Sequence, residues 1–353
     1  MNKNISNTLA QLIFGTPVGH LNLMVVPVFL PENLKWTDYI SLKEGLDQKL
    51  VEVSEVSESG SVPNLMVTNN ADLPLLLLDG EELIGAKQNR IVNTSLLLPS
   101  KTKTVIPVSC TERGRWDYNS RFFGDSGVIM SSKARYNKSE RVKSNLERGA
   151  GYNAQQNEVW NDIEGYHDTF NSSSKSRAMR DIFYEQQTKI DGYLQNIPVQ
   201  SGQCGLVVIL GGSIAGFDFV SSPQAYTSLH NKLISSYAIE ALVEKVQGKE
   251  RSLPEAEQAV LTIKHFITHF TETASENEFK PVGLGVDYRY TAPKGTASAL
   301  AFDNKVVHFS AFPNISIEVP VKQWSDSVET ETQDSGSISK TFLQILKDKL
   351  SKI

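Results

Sequence analysis

Apolar residues in the first hundred positions come in short runs bounded by turn formers, the pattern of strands rather than long helices. Residues 21–30, 49–56 and 64–67 are rich in Val, Leu or Phe and read as strands. Between the first two, Ser41 followed three residues later by Glu44 forms a capping box, which predicts a short helix over residues 41–48. Residues 75–78, Asp79-Gly80 and Leu83-Ile84 predict a hairpin or tight corner, since Asp-Gly supplies the positive φ of such turns. Residues 91–98 and 102–108 add a strand pair around Pro99-Ser100.

The period lengthens further on. Val159, Ile163 and Tyr166, then Met179, Ile182 and Phe183, fall at helical spacing, and Pro198 closes the second helix. Residues 206–210 and 214–219 predict a hairpin turned at Gly211-Gly212. Ser222-Pro223 opens a long helix whose buried face carries Tyr226, Leu229, Leu233, Tyr237 and Ala241, ending near Gly248. Ser252 and Glu255 around Pro254 predict a capping box for a helix through Phe270. Strands return at residues 282–290, 297–302 and 306–312, and a polar stretch at 325–337 leads to a terminal helix at 339–350. The expected class is α+β: a β-rich, sandwich-like lobe over residues 1–120, then a lobe of mixed helices and antiparallel strands over 151–324, followed by a polar tail with its helix at 325–353. Residues 121–150 read as a basic linker or insert. Within residues 131–148, Lys133, Arg135, Lys138, Arg141, Lys143 and Arg148 oppose only Glu140 and Glu147, the composition of a solvated connection.

Composition narrows the function classes. The chain has 353 residues, with 35 Lys plus Arg against 40 Asp plus Glu and a net charge of −5, unlike a polybasic nucleic-acid binder. In the basic stretch only Tyr136 offers a stacking surface, which further disfavours nucleic acid. No apolar run approaches the roughly 20 residues of a spanning helix, and no signal-peptide core is present, so a cytoplasmic protein is expected with no membrane partner. Cys110 and Cys204 both adjoin apolar runs and read as packed, reduced thiols.

Candidate chemistry concentrates in two stretches. Residues 80–90 follow the most apolar strand and crowd Glu81, Glu82, Lys87, Gln88, Asn89 and Arg90 together. Such a set suits a polar ligand, or else a solvated hairpin end with an Arg and carboxylate pair fixing the corner. Residues 107–116 end a strand with Cys110, Glu112, Arg113, Arg115 and Trp116. The arginine that a phosphatase loop needs six positions after its cysteine is replaced by Trp116, and no histidine lies near to activate the thiol. The candidate catalytic residues are Glu81, Glu112, Cys110 and His308; the candidate ligand-binding residues are Lys87, Gln88, Arg90, Arg115, Trp116 and Arg289. His265 and His269 stand four apart but lack the Glu of a zinc-protease helix, so no metal site is expected and no cofactor is indicated. Asp287 and Arg289 share a strand face, where a salt bridge is the plainer explanation. Walker, nucleophile-elbow and zinc-quartet motifs are missing from the sequence.

Residues 80–90 (GEELIGAKQNR) and 106–116 (IPVSCTERGRW) together resemble a bacterial family of unknown function, the ADP-ribosylglycohydrolase and rhodanese-phosphatase-associated proteins. Cys110, Glu112, Arg115 and Trp116 reproduce its pattern, and the likeness continues through residues 176–194, 202–219, 232–242 and 306–312. The resemblance implies a cytosolic protein encoded near ADP-ribose or NAD-derivative metabolism, often beside conflict or stress systems, with no established activity. The expected function is therefore to bind or process a polar nucleotide-type ligand such as ADP-ribose or an NAD derivative. The alternative is a non-catalytic scaffold in a stress or defence system, with a protein or a second copy of the chain as partner.

Overall fold

The computed structural model describes residues 1–57, 63–114 and 120–320. Its largest element is a nine-stranded antiparallel sheet. In spatial order it runs Ile13–Phe14, Leu23–Phe29, Gln203–Leu210, Ser213–Val220, Lys305–Pro313, Gly295–Phe302, Val286–Ala292 and Ser275–Phe279, with Val18–His20 also paired to Leu23–Phe29. Alternation sends Leu23, Val25, Leu206 and Val208 to one face and Met24, Val26, Val207 and Ile209 to the other. Both faces are covered. The helix Pro223–Val246 packs on the first, while Lys3–Gln11 and Ala256–Thr273 pack on the second. A strand buried on both sides reads as continuous hydrophobicity, as residues 23–28 and 204–209 do.

The β-rich front closes on itself. Thr102–Cys110, Asn64–Asn69, Val51–Glu55, Phe123–Ile129, Glu81–Gly85 and Arg90–Val92 form a closed antiparallel barrel. The sandwich-like expectation is thus corrected to a barrel filled by Val53, Leu65, Val67, Leu83, Val92, Ile106 and Phe123. Closure comes from one long strand that changes partner: residues 102–107 pair with 64–69, and residues 108–110 pair with 90–92. A register shift between Asp125 and Ile129 supplies further curvature. A small three-stranded sheet, Leu96–Leu98, Leu75–Leu77 and Ile40–Ser41, adjoins the barrel.

Two further expectations change. The basic stretch is no solvated linker: it forms the helix Ser132–Glu147, with Arg135 and Lys138 fully buried. Those cations face carboxylates far away in sequence, Asp218 for Arg135 and Asp79 for Lys138. The last described helix begins at Ala256, and its N-cap Glu255 makes no capping hydrogen bond, so the box at Ser252 does not form. By contrast, Ser41 accepts from the Glu44 amide at 3.2 Å, and Ser222 from the Ala225 amide at 3.2 Å with Pro223 in the first turn. The described residues up to 320 belong to one compact unit, in which Leu23–Phe29 joins the large sheet. The polar tail and terminal helix expected at 325–353 lie outside the described residues. Among the described residues, no helix is long and apolar enough to cross a membrane.

Candidate functional site

Strand pairing brings the two polar stretches together. Arg90 and Cys110 are direct partners across the barrel, and the Thr111 amide donates to the Asn89 carbonyl at 3.0 Å. A third segment is tied to the same place, because the Met179 amide donates to the Thr111 carbonyl at 2.9 Å and the Gly114 amide to the Ser176 carbonyl at 3.1 Å. Between these segments opens a cleft of about 720 Å³, lined by Asn89, Glu112, Phe122, Ser176, Arg180 and Tyr184 together with neighbouring backbone. Gly85 makes its rim. At φ +131°, a Cβ there would stand 2.6 Å from Ser120 Oγ and 2.7 Å from the Phe122 carbonyl, so only glycine fits.

The short helix Met179–Glu185 buries Met179, Ile182 and Phe183 and turns Arg180 and Tyr184, four residues apart, toward the cleft. Arg180 is half-buried and makes no hydrogen bond or ion pair among the described residues. Beside it, Asp181 accepts from Ser174 at 2.6 Å. Two aromatic rings are exposed at the cleft, Tyr184 at 76% and Phe122 at 42%, the latter with the Arg121 guanidinium 5.2 Å from its centroid. Such rings beside an unpaired guanidinium can stack a planar base while the cation holds an anion.

Behind this surface lies Glu82, fully buried. Thr111 Oγ1 donates to its Oε1 at 2.7 Å, and among the described residues Oε2 makes no close hydrogen bond, the Ser126 hydroxyl being the nearby donor. Burial pushes this carboxyl up to about 7; the Thr111 and Ser126 hydroxyls and the Arg180 charge draw it back, and Glu112 pushes it up again.

The other sequence candidates are dispersed. Glu112 lines the cleft, but Glu81 points away from it into an ion-pair triad, with Lys232 Nζ 2.8 Å from Glu81 and 2.7 Å from Asp125. Arg90 is enclosed, donating to the Gln88 and Asn89 carbonyls at 2.9 and 3.4 Å and lying 3.7 Å from Glu55, so it braces the rim turn from beneath. Gln88 is buried and Lys87 half-buried, and neither lines the cleft. Cys110 is buried, and desolvation pushes its thiol up to about 11, which favours the protonated thiol at neutral pH. Arg115 and Trp116 lie outside the described residues.

Arg289 and His308 belong to a different region, a buried polar network at the junction of barrel, sheet and helix Ser132–Glu147. Arg289 pairs with both oxygens of Asp287 at 2.8 Å and donates to Thr94 at 2.6 Å. Arg135 grips Asp218 at 2.8 and 2.7 Å, and Tyr237 donates to the same carboxylate at 2.7 Å. Burial pushes the His308 imidazole down to about 4, with Asp218 and Asp79 pulling it up and Arg135 and Arg289 opposing them. Both residues are buried and neither lines the cleft. Among the described residues, no group of three or more His, Cys, Asp or Glu is arranged to hold a metal ion.

Sequence reading passed over Arg180, Tyr184 and Phe122, and it chose Glu81 where Glu82 adjoins the cleft. The signal was present in the helix: with Met179, Ile182 and Phe183 buried, positions 180 and 184 must face outward together. No curated protein and no solved structure matches the chain. The model of one family, ARPP-1, the ARG and Rhodanese-Phosphatase-superfamily-associated Protein domain, matches residues 11–312, and the chain belongs to that family.

Proposed function

We propose that this cytoplasmic protein binds or processes a polar nucleotide-type ligand of the ADP-ribose or NAD-derivative class. The carrying observation is the Arg180 guanidinium, unpaired among the described residues, in a cleft flanked by the exposed rings of Tyr184 and Phe122. In this reading Arg180 holds a phosphate, an aromatic ring stacks the base, and Glu112 and Asn89 meet ribose hydroxyls. Arg90 and Gln88 act indirectly, through the rim turn that carries Asn89. Titration calorimetry with ADP-ribose, NAD and ATP is the test. Binding of at least one, weakened about 10- to 100-fold by Arg180→Ala as expected for one charge-assisted contact, supports the reading. Flat heats for all three at millimolar ligand remove it.

The scaffold reading draws support from a different observation: Glu81, Asp287 and Arg289 are all consumed in internal ion pairs. Those residues then act in folding alone, and the cleft meets a protein partner. Loss of all nucleotide heats, with the fold intact, favours it.

A further inference from the structure

Glu82 is a fully buried carboxyl behind the cleft, held through Oε1 by Thr111, with Oε2 making no close hydrogen bond among the described residues. Its surroundings can be named element by element. The strand Thr102–Cys110 leads to Thr111, which donates to Oε1, and onward to Glu112. The strand Phe123–Ile129 brings Ser126, and the helix Met179–Glu185 brings the charge of Arg180. The neighbouring strand Arg90–Val92 carries Arg90, whose guanidinium is directed at the Gln88 and Asn89 carbonyls and toward Glu55. Glu81, on the opposite face of Glu82's own strand, is closed into its triad with Lys232 and Asp125. Arg180 faces the cleft and makes no hydrogen bond or ion pair among the described residues.

We propose that Glu82 is a positioning residue whose protonation state governs how strongly Arg180 holds an anion in the cleft, a reading that rests on the assignment of the cleft to a phosphate-bearing ligand. A buried carboxylate with an unsatisfied oxygen is costly, whereas the protonated acid is not. With its proton, Glu82 leaves the Arg180 charge available to the ligand. Without it, a second negative charge stands beside Arg180, attracts the guanidinium and repels the incoming anion. The side chain is already balanced near neutrality, where its titration lies at about 7. Anion binding and proton binding at Glu82 therefore favour one another, and the ligand enters with fractional uptake of a proton from solvent.

Two measurements test this on the full chain. The first needs no ligand: carbon-13 carboxyl resonances are followed against pH in the wild type, in Glu82→Gln to assign the signal, and in Arg180→Ala. A midpoint near 7 that moves upward in Arg180→Ala supports the proposal. A midpoint at the ordinary glutamate value, or one that Arg180→Ala leaves in place, overturns it. The second is calorimetry with ADP-ribose, whose pyrophosphate does not titrate near neutrality, from pH 6 to 8.5 in buffers of different ionisation heat. The wild type is expected to lose about tenfold in affinity across the range, the equivalent of one pH unit of coupling, and to take up at most about half a proton per ligand bound. Glu82→Gln is expected to bind with a flat profile and no proton uptake. A flat wild-type profile, or an unchanged slope in Glu82→Gln, overturns the proposal. Absence of ADP-ribose binding at every pH removes the nucleotide reading instead, and the carboxyl titration still decides whether Glu82 and Arg180 are coupled.

Discussion

Two arginines with the same chemistry have opposite situations here. Arg289 is enclosed and shared among Asp287, Thr94 and Ser139, while Arg180 stands at the cleft with its guanidinium unpaired among the described residues. Removing one partner of a buried pair strands the other charge without water, at about 3–5 kcal/mol. Arg289→Met is thus expected to lower unfolding free energy in urea by that amount. Arg180→Ala is expected to change stability by no more than about 0.5 kcal/mol, as for an ordinary surface position, while weakening ligand binding. Equal stability losses in both variants would show that Arg180 has a structural role. Sequence alone singled out Arg289, which shares a strand face with Asp287, and passed over Arg180, because neither pattern shows which guanidinium is enclosed.

At the level of elements, the cleft depends on how the strand Glu81–Gly85 leaves the barrel. Gly85, at positive φ and pressed on the Phe122 carbonyl, holds the rim against the segment that carries Phe122. Gly124, in the facing strand, has nothing within 4 Å of an added Cβ. Gly85→Ala is expected to cost about 1–3 kcal/mol and to weaken ligand binding, since backbone must move to admit the methyl group. Gly124→Ala is expected to stay within about 0.5 kcal/mol of wild type. Comparison of urea midpoints decides it, and equal midpoints would show that the rim yields freely. The helix Met179–Glu185 was legible in its apolar spacing, and its outward pair could have been read from the same spacing. Its place beside residues 111–114 was not legible, because backbone hydrogen bonds between distant segments leave no mark on periodicity.

Across the whole molecule, burial of polar groups makes stability depend on pH in two opposing ways. His308 titrates at about 4 in the fold against 6.5 unfolded, so its contribution is complete above pH 6.5 and is lost as pH falls toward 4. Glu82 titrates at about 7 against 4.5 unfolded, so its contribution is complete below pH 4.5 and is lost as pH rises toward 7. Each amounts to about 3 kcal/mol at full extent, and between pH 4.5 and 6.5 the two slopes cancel. Glu82→Gln is expected to gain stability relative to wild type as pH rises through this window, and His308→Gln to gain it as pH falls. Thermal melts of the three proteins at half-unit intervals check both signs, and parallel curves would refute the assignment.

The amino-acid sequence by itself determined the α+β class, the β-rich beginning, the capped helices at Ser41 and Ser222 and the hairpin at Gly211-Gly212, because each rests on side-chain spacing and turn chemistry within a few residues. It also marked residues 80–90 and 107–116 as places where polar groups gather beside apolar strands. Only the tertiary structure decided that the front closes as a barrel, that a basic stretch becomes a helix buried against distant carboxylates, and which polar residues reach the cleft. Those outcomes depend on contacts between residues tens to hundreds of positions apart. A charge is solvated or buried according to whether such a partner arrives, and local pattern carries no record of that meeting.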